Sequence, residues 1–146
     1  MTHFALQSKN VITDGKMIAA CIEVKDELIT AIHPYGAQLS CEIKDFGEDV
    51  ILPGLVDSHV HINEPGRTEW EGFNTATQAA AAGGITALVD MPLNCIPVTT
   101  TKAAFQEKLD SVYDKLWVDV GFWGGVIPQN IGDLDELLDA GVLGVK

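Results

Sequence analysis

The chain has 146 residues, 47% of them hydrophobic, which is the balance of a globular protein, and its net charge of −12 argues against nucleic-acid binding. Three cysteines without a Cys-x-x-Cys pair argue against a disulfide framework or a thiolate zinc site and favour a reducing compartment. Because neither a secretory signal nor an apolar run long enough to span a membrane is found, we expect a cytoplasmic protein without membrane contacts, and organelle targeting stays open.

Residues 1–52 are predicted to form short β-strands joined by tight turns. The predicted strands are residues 3–8, 11–12, 17–24 and 27–32. Tight turns at Asp14-Gly15 and Lys25-Asp26 favour antiparallel pairing. Such closely spaced strands are typical of part of a β-sandwich, for which we expect a structural role. His3 and His33 lie here and match no motif.

Beyond residue 52, strand-like and helix-like segments alternate. The predicted strands are residues 55–62, 85–90, 116–122 and 142–146, and the predicted helices are residues 68–82, about 99–115, and one that begins at Asn130 or Asp133. Thr68 and Glu71 have the spacing of a capping box. The alternation predicts parallel βαβ units in an α/β fold. A Gly-x-Gly-x-x-Gly motif does not follow the first of these strands, which argues against a dinucleotide-binding sheet.

The most distinctive residues lie near the end of the first strand of this second region. Because strand side chains alternate between faces, Asp57, His59, His61 and Asn63 are predicted to share one face. Neighbouring imidazoles favour a shared metal ion such as zinc, although a core pair or a solvent-facing edge stays an alternative. Asp57 is expected either to orient a histidine from outside the metal's own ligands or to hydrogen-bond to the backbone.

The motif Pro-Gly-Leu-Val-Asp-Ser-His-Val-His resembles the first barrel strand of the amidohydrolase superfamily. Glu64-Pro-Gly-Arg-x-x-Trp-Glu-Gly72 and Asp90-Met-Pro-Leu-Asn94 are most similar to the allantoinases among its cyclic amidohydrolases. The resemblance implies the first half of a (β/α)8 TIM-type barrel, residues 53–146, preceded by part of a small β-sandwich, residues 1–52. Since a complete barrel needs about 250 residues, we expect an N-terminal fragment that is inactive alone.

The resemblance also implies a binuclear metal site. His59, His61 and Lys146 would hold about two divalent ions, zinc being expected and iron, cobalt or manganese being alternatives. Lys146 would be carboxylated by carbon dioxide, so that its carbamate bridges the ions. The later aspartate that acts as the catalytic base in the family has no counterpart here, so we assign no catalytic residue within this chain.

The implied reaction is hydrolysis of the cyclic amide bond of allantoin to allantoate, in purine degradation, by a homotetramer. Asn63 and Asn94 are candidate substrate-binding residues, and each has a turn-forming role as its alternative. Dihydroorotases carry arginine in place of Asn63, so we expect a neutral ureide as the substrate. Hydantoinase (dihydropyrimidinase) or dihydroorotase activity, a non-enzymatic hydantoinase-like scaffold and an inactive truncated fragment stay as alternatives. Arg67 is predicted to pair with Glu64 or Glu71.

Overall fold

The computed structural model describes residues 2–146, which divide after Pro53 into two compact units. The first unit contains a five-stranded sheet, and the second contains a three-stranded sheet with helices. Across residues 2–146, no helix has the length and apolar character that crossing a membrane requires.

The first unit is built around one long strand. Its strands are β1 (His3–Thr13), β2 (Lys16–Lys25), β3 (Leu28–Pro34), β4 (Glu42–Asp45) and β5 (Val50–Ile51). The order is β3-β2-β1-β4, and β5 also pairs with β1. The first three strands are antiparallel as predicted, whereas β4 and β5 run parallel to β1. The prediction of two separate strands at residues 3–8 and 11–12 was wrong, because a register shift between Ser8 and Val11 interrupts the pairing without ending β1.

The second unit has the predicted alternation of strands and helices. Its elements are β6 (Leu55–Val60), α1 (Phe73–Ala82), β7 (Ile85–Asp90), α2 (Lys102–Ser111), β8 (Asp119–Phe122), a 3-10 turn (Ile131–Asp133) and α3 (Leu134–Asp139). The sheet order is β6-β7-β8, and both pairings are parallel. The carboxyl ends of the three strands therefore lie at the same edge of the sheet.

The predicted fourth strand, residues 142–146, is instead an isolated parallel bridge between Gly124 and Val145. The N–H of Leu143 donates to the carbonyl of Phe122 at 2.9 Å, and the N–H of Lys146 donates to the carbonyl of Gly124 at 2.8 Å. The segment follows the edge of β8, but β8 ends at Phe122, so a continuous ladder of pairs does not form.

Helix α1 begins at Phe73 and not at Thr68, so the predicted capping box was wrong. The N–H of Phe73 donates instead to Glu64 Oε2 at 2.9 Å. Gly72 lies at the N-cap, where an added Cβ would stand 2.8 Å from that oxygen, so glycine permits the close approach. A carboxylate at this position stabilises the positive end of the helix dipole.

The core of the second unit is aromatic at its centre. It contains Ile62, Phe73, Ala76, Ala80, Leu88, Phe105, Phe122, Leu137 and Val142. The ring of Phe122 packs edge to face against Phe73 and Phe105, with centroid distances of 6.0 and 5.7 Å. These contacts join β8 to α1 and α2, and they hold both helices on the sheet.

Candidate metal and substrate site

The carboxyl end of β6 carries both predicted histidine ligands. His59 lies within the strand and is exposed, whereas His61 follows its last residue and is half-buried. Their ring centroids are 5.4 Å apart, and the ring planes are inclined at 45°. A register shift between Asp57 and Val60 interrupts the regular pairing with β7, yet the two rings remain neighbours.

His61 has a buried nitrogen that is not satisfied. Its Nδ1 has no hydrogen-bond partner within residues 2–146. Burial lowers the pKa of His61, and the charges of Lys146, His59 and Lys108 lower the pKa further. A neutral imidazole with a free lone pair is suited to a zinc-like ion. The pair His59 and His61 therefore fits the metal site that the family implies.

Lys146 lies at the same end of the sheet as the two histidines. Its side chain is exposed and close enough for its charge to lower the pKa of His61. Its carbonyl accepts a hydrogen bond from the N–H of Val126 at 2.8 Å, which fixes the main chain of Lys146 beside the continuation of β8. The fold thus brings the three predicted ligands to one edge.

Asp57 contacts the main chain of β6. Its Oδ1 accepts a hydrogen bond from the N–H of His59 at 3.0 Å. This contact corresponds to the backbone role that the sequence left as an alternative. Because the bond lies where the pairing with β7 shifts, Asp57 fixes the main chain that presents His59.

The two asparagines predicted to bind substrate have different environments. Asn63 is 9% exposed, and its main chain is held by the carbonyl of Glu71 at 3.0 Å and the N–H of Arg67 at 2.9 Å. Asn94 is exposed and has a φ of 71°, in the left-handed region that asparagine tolerates better than most residues. Two hydrogen bonds therefore fix the main chain of Asn63, which lies two residues after His61. Asn94, by contrast, forms the turn after β7.

The predicted ion pair of Arg67 with Glu64 or Glu71 was wrong. The Arg67 guanidinium lies over the ring of Trp70, 4.8 Å from its centroid. Glu64 instead forms an ion pair with Lys115 and caps α1. The Trp70 ring competes with the carboxylates for the guanidinium, because a planar cation can stack on an aromatic face while its edge stays in water.

A buried ion pair beside the histidines was missed from sequence. Lys108, 1% exposed, donates to Asp90, which is fully buried at the end of β7. Burial raises the pKa of Asp90, and the Lys108 charge and hydrogen bond oppose that effect. The other Asp90 oxygen accepts from the N–H of Ile62 at 2.7 Å, directly after His61. The sequence feature that could have revealed the pair is the position of Lys108 one helical turn after Phe105. This spacing places both side chains on the inward face of the helix.

The chain is similar in sequence and in structure to known proteins. Residues 50–142 match the model of the amidohydrolase family. The chain is 54% identical over 143 residues to the allantoinase of Streptomyces avermitilis, covering 97% of this chain and 32% of that protein. It is 52% identical over 150 residues to the probable allantoinase of Oryza sativa subsp. japonica, covering 99% and 30%.

A solved structure shows the same fold. The L-hydantoinase (dihydropyrimidinase) from Arthrobacter aurescens superposes with a TM-score of 0.88 and 31% identity, over 99% of this chain and 32% of that one. This similarity confirms the predicted α/β fold of the barrel type. The chain spans about a third of the length of the proteins that it matches here.

Proposed function

Because the chain belongs to the amidohydrolase family, we propose that the protein hydrolyses a cyclic amide bond and that its substrate is allantoin. The observation that carries the proposal is the pair His59 and His61 at the end of β6, with a buried free nitrogen on His61. The relatives named allantoinase and probable allantoinase, at 54% and 52% identity, support allantoin as the substrate.

We propose that His59, His61 and a carboxylated Lys146 hold about two divalent ions, with zinc favoured by the imidazole ligands. When bound, such ions acidify a water molecule and polarise a carbonyl group. His61 suits this role because burial lowers the pKa of its imidazole and so favours the neutral form that binds metal. Carboxylation of Lys146 replaces a positive charge near His61 with a negative one, which suits a site for cations.

Asn63 is the residue that we propose for substrate selection. Its side-chain amide both donates and accepts hydrogen bonds, as the ring and the ureido arm of allantoin require. An arginine would grip the carboxylate of dihydroorotate in a bidentate pair, which asparagine lacks the charge and reach to form. Loss of such a pair costs about 2–3 kcal/mol, or roughly a hundredfold in preference.

The proposed reaction consumes one water molecule. The water oxygen bonds to the ring carbonyl carbon, the carbon–nitrogen bond breaks, and the nitrogen receives a proton to give allantoate. Within this chain, Asp57 holds the main chain at His59, and Asp90 holds the main chain after His61. These contacts keep the proposed ligands in position while the ring opens.

A 5-substituted hydantoin or a dihydropyrimidine is the second candidate substrate. The structural match to L-hydantoinase, with a TM-score of 0.88, supports that alternative. A non-enzymatic scaffold is less well supported, because both histidines are in place at the end of β6. We further propose a cytoplasmic homotetramer, and the three free cysteines Cys21, Cys41 and Cys95 support a reducing compartment.

The test compares allantoin, dihydroorotate and 5-substituted hydantoins as substrates of the protein as the cell produces it. We expect allantoin to have the highest kcat/KM and allantoate to be its product. A higher value for a hydantoin would favour the second candidate, and a higher value for dihydroorotate would overturn the Asn63 argument. Failure of the metal-loaded protein to hydrolyse any of the three would favour a scaffold.

A further inference from the structure

A row of polar side chains crosses one face of the sheet in the first unit. His3 lies on β1, Glu23 on β2 and His33 on β3, and Cys41 immediately precedes β4. The strand register places Glu23 diagonally next to both histidines, because its direct partners are Ala5 on β1 and Ala31 on β3. Diagonal neighbours on one face are within reach of long side chains. Four strands or strand ends thus contribute one polar group each.

Glu23 is the centre of this row. Its Oε1 lies 2.7 Å from His3 Nε2, and its Oε2 lies 2.8 Å from His33 Nε2. The hydrogen bonds from His33 and His3 hold the pKa of Glu23 below its usual range. The side chains of His3, Glu23 and His33 are 32%, 21% and 29% exposed, so ions from solvent reach them. The carboxylate is therefore charged, oriented from both sides and accessible.

A ligand atom from each of His3, Glu23 and Cys41 lies within 4.8 Å of the other two. Tetrahedral zinc, with bonds of about 2.0–2.3 Å, requires its ligand atoms to stand roughly 3.3–3.8 Å apart. A bound cation would replace the proton that His3 and Glu23 share, so the two side chains would move slightly apart. Small side-chain rotations would then bring the three ligand atoms to this spacing. The arrangement is compatible with a zinc-like ion and an open fourth position for water.

We propose that His3, Glu23 and Cys41 form a binding site for Zn²⁺ that is separate from the site at His59 and His61. Imidazole, carboxylate and thiolate together favour zinc over the hard cations magnesium and calcium. His33 acts as a positioning residue, because it holds the other oxygen of Glu23. The bound ion joins β1, β2 and the segment before β4, so it cross-links strands that are distant in sequence.

Sequence spacing did not indicate this site. Residues 3 and 23 lie on different strands and residue 41 lies in the segment before β4, so the three do not form the short paired motifs of zinc-binding sequences. The expectation that the cysteines lack a role in zinc binding rested on the missing Cys-x-x-Cys pair. Strand pairing supplies the proximity that the linear sequence does not.

Cobalt binding tests the proposal. The protein as the cell produces it, carrying His59→Ala and His61→Ala to remove the other site, is stripped with a chelator and titrated with Co²⁺. We expect thiolate-to-cobalt charge-transfer absorption in the near ultraviolet, which added Zn²⁺ bleaches. Cys41→Ser should abolish the absorption, whereas Cys95→Ser, which removes a buried thiol in the second unit, should preserve it.

Further variants and a direct measurement make the test decisive. His3→Ala and Glu23→Gln should each weaken Zn²⁺ binding strongly, and His33→Ala should weaken it by about tenfold. In the zinc-loaded protein that retains Cys41, X-ray absorption should show a sulfur atom about 2.3 Å from the zinc. Absorption that persists in Cys41→Ser, or a zinc environment without sulfur, would overturn the proposal. Circular dichroism of each variant separates loss of binding from loss of folding.

Discussion

Lys108 Nζ donates to Asp90 Oδ2 in the interior of the second unit, where the two side chains are 1% and 0% exposed. The other oxygen of Asp90 accepts from the N–H of Ile62 at 2.7 Å. The pair therefore connects α2 and β7 to the residue that follows His61. The pair thus supports the main chain directly after His61 without contributing a proposed ligand.

Replacing Lys108 with methionine should destabilise the protein by about 3–5 kcal/mol, because it leaves a buried carboxylate without its partner. The double variant Lys108→Met and Asp90→Asn should recover part of that loss, since the amide oxygen still accepts from Ile62. Urea unfolding measures both free energies.

The matched control is Lys102→Met, because Lys102 pairs with Glu136 at 3.8 Å while the two side chains are 60% and 64% exposed. Its effect should be within about 0.5 kcal/mol. Equal effects of the substitutions at Lys102 and Lys108 would contradict the role of the buried pair.

The sequence predicted what depends on local periodicity and missed what depends on distant contacts. The alternating strands and helices of the second unit follow from the periodicity of neighbouring residues, and the sequence predicted them. The start of α1 was missed because Glu64, outside the helix, supplies its cap. The parallel pairing of β4 with β1 was also not predicted. The segment before β4 is long enough for the chain to reverse its direction, and such segments lack the sequence motifs of tight turns.

Glu64→Ala should destabilise the α/β unit by roughly 1.5–3 kcal/mol, the range for a hydrogen bond to a charged group. The substitution frees the N–H of Phe73 at the start of α1 and leaves Lys115 without its partner. Denaturant unfolding measures the loss. The exposed Glu69→Ala serves as the control and should be nearly neutral. A similarly small effect of Glu64→Ala would show that α1 does not need this cap.

Asp45 should make the stability of the first unit depend on pH. The N–H of Gly47, the Tyr35 hydroxyl and the Gln7 amide hold the pKa of Asp45 below its usual range. A lowered folded-state pKa contributes stability above the unfolded value of about 3.9, and this stability disappears as pH falls through the folded-state value.

The stability difference between the native protein and Asp45→Asn should therefore be largest near neutral pH and shrink in acid. Unfolding measured across that range tests this expectation, and Tyr35→Phe, which removes one donor, should reduce the pH dependence in part. A difference that stays constant with pH would exclude the Asp45 carboxylate as its source.

Asn63→Ala should lower kcat/KM for allantoin by about tenfold to a hundredfold, the equivalent of roughly 1–3 kcal/mol of hydrogen bonding. Asn63 is 9% exposed, and we propose that its amide contacts the substrate. Asn94→Ala is the comparison, and its effect should be smaller because Asn94 is exposed in a turn. The same kcat/KM in Asn63→Ala and the native protein would remove Asn63 from substrate recognition.

Metal content tests the central claim most directly. Cys41→Ser removes the proposed site in the first unit and serves as the reference, and it is compared with the same variant carrying His59→Ala and His61→Ala. After mild chelation, elemental analysis should find about two divalent ions per chain in the reference and almost none in the triple variant. Equal metal content in the two proteins would contradict the assignment of His59 and His61 as ligands.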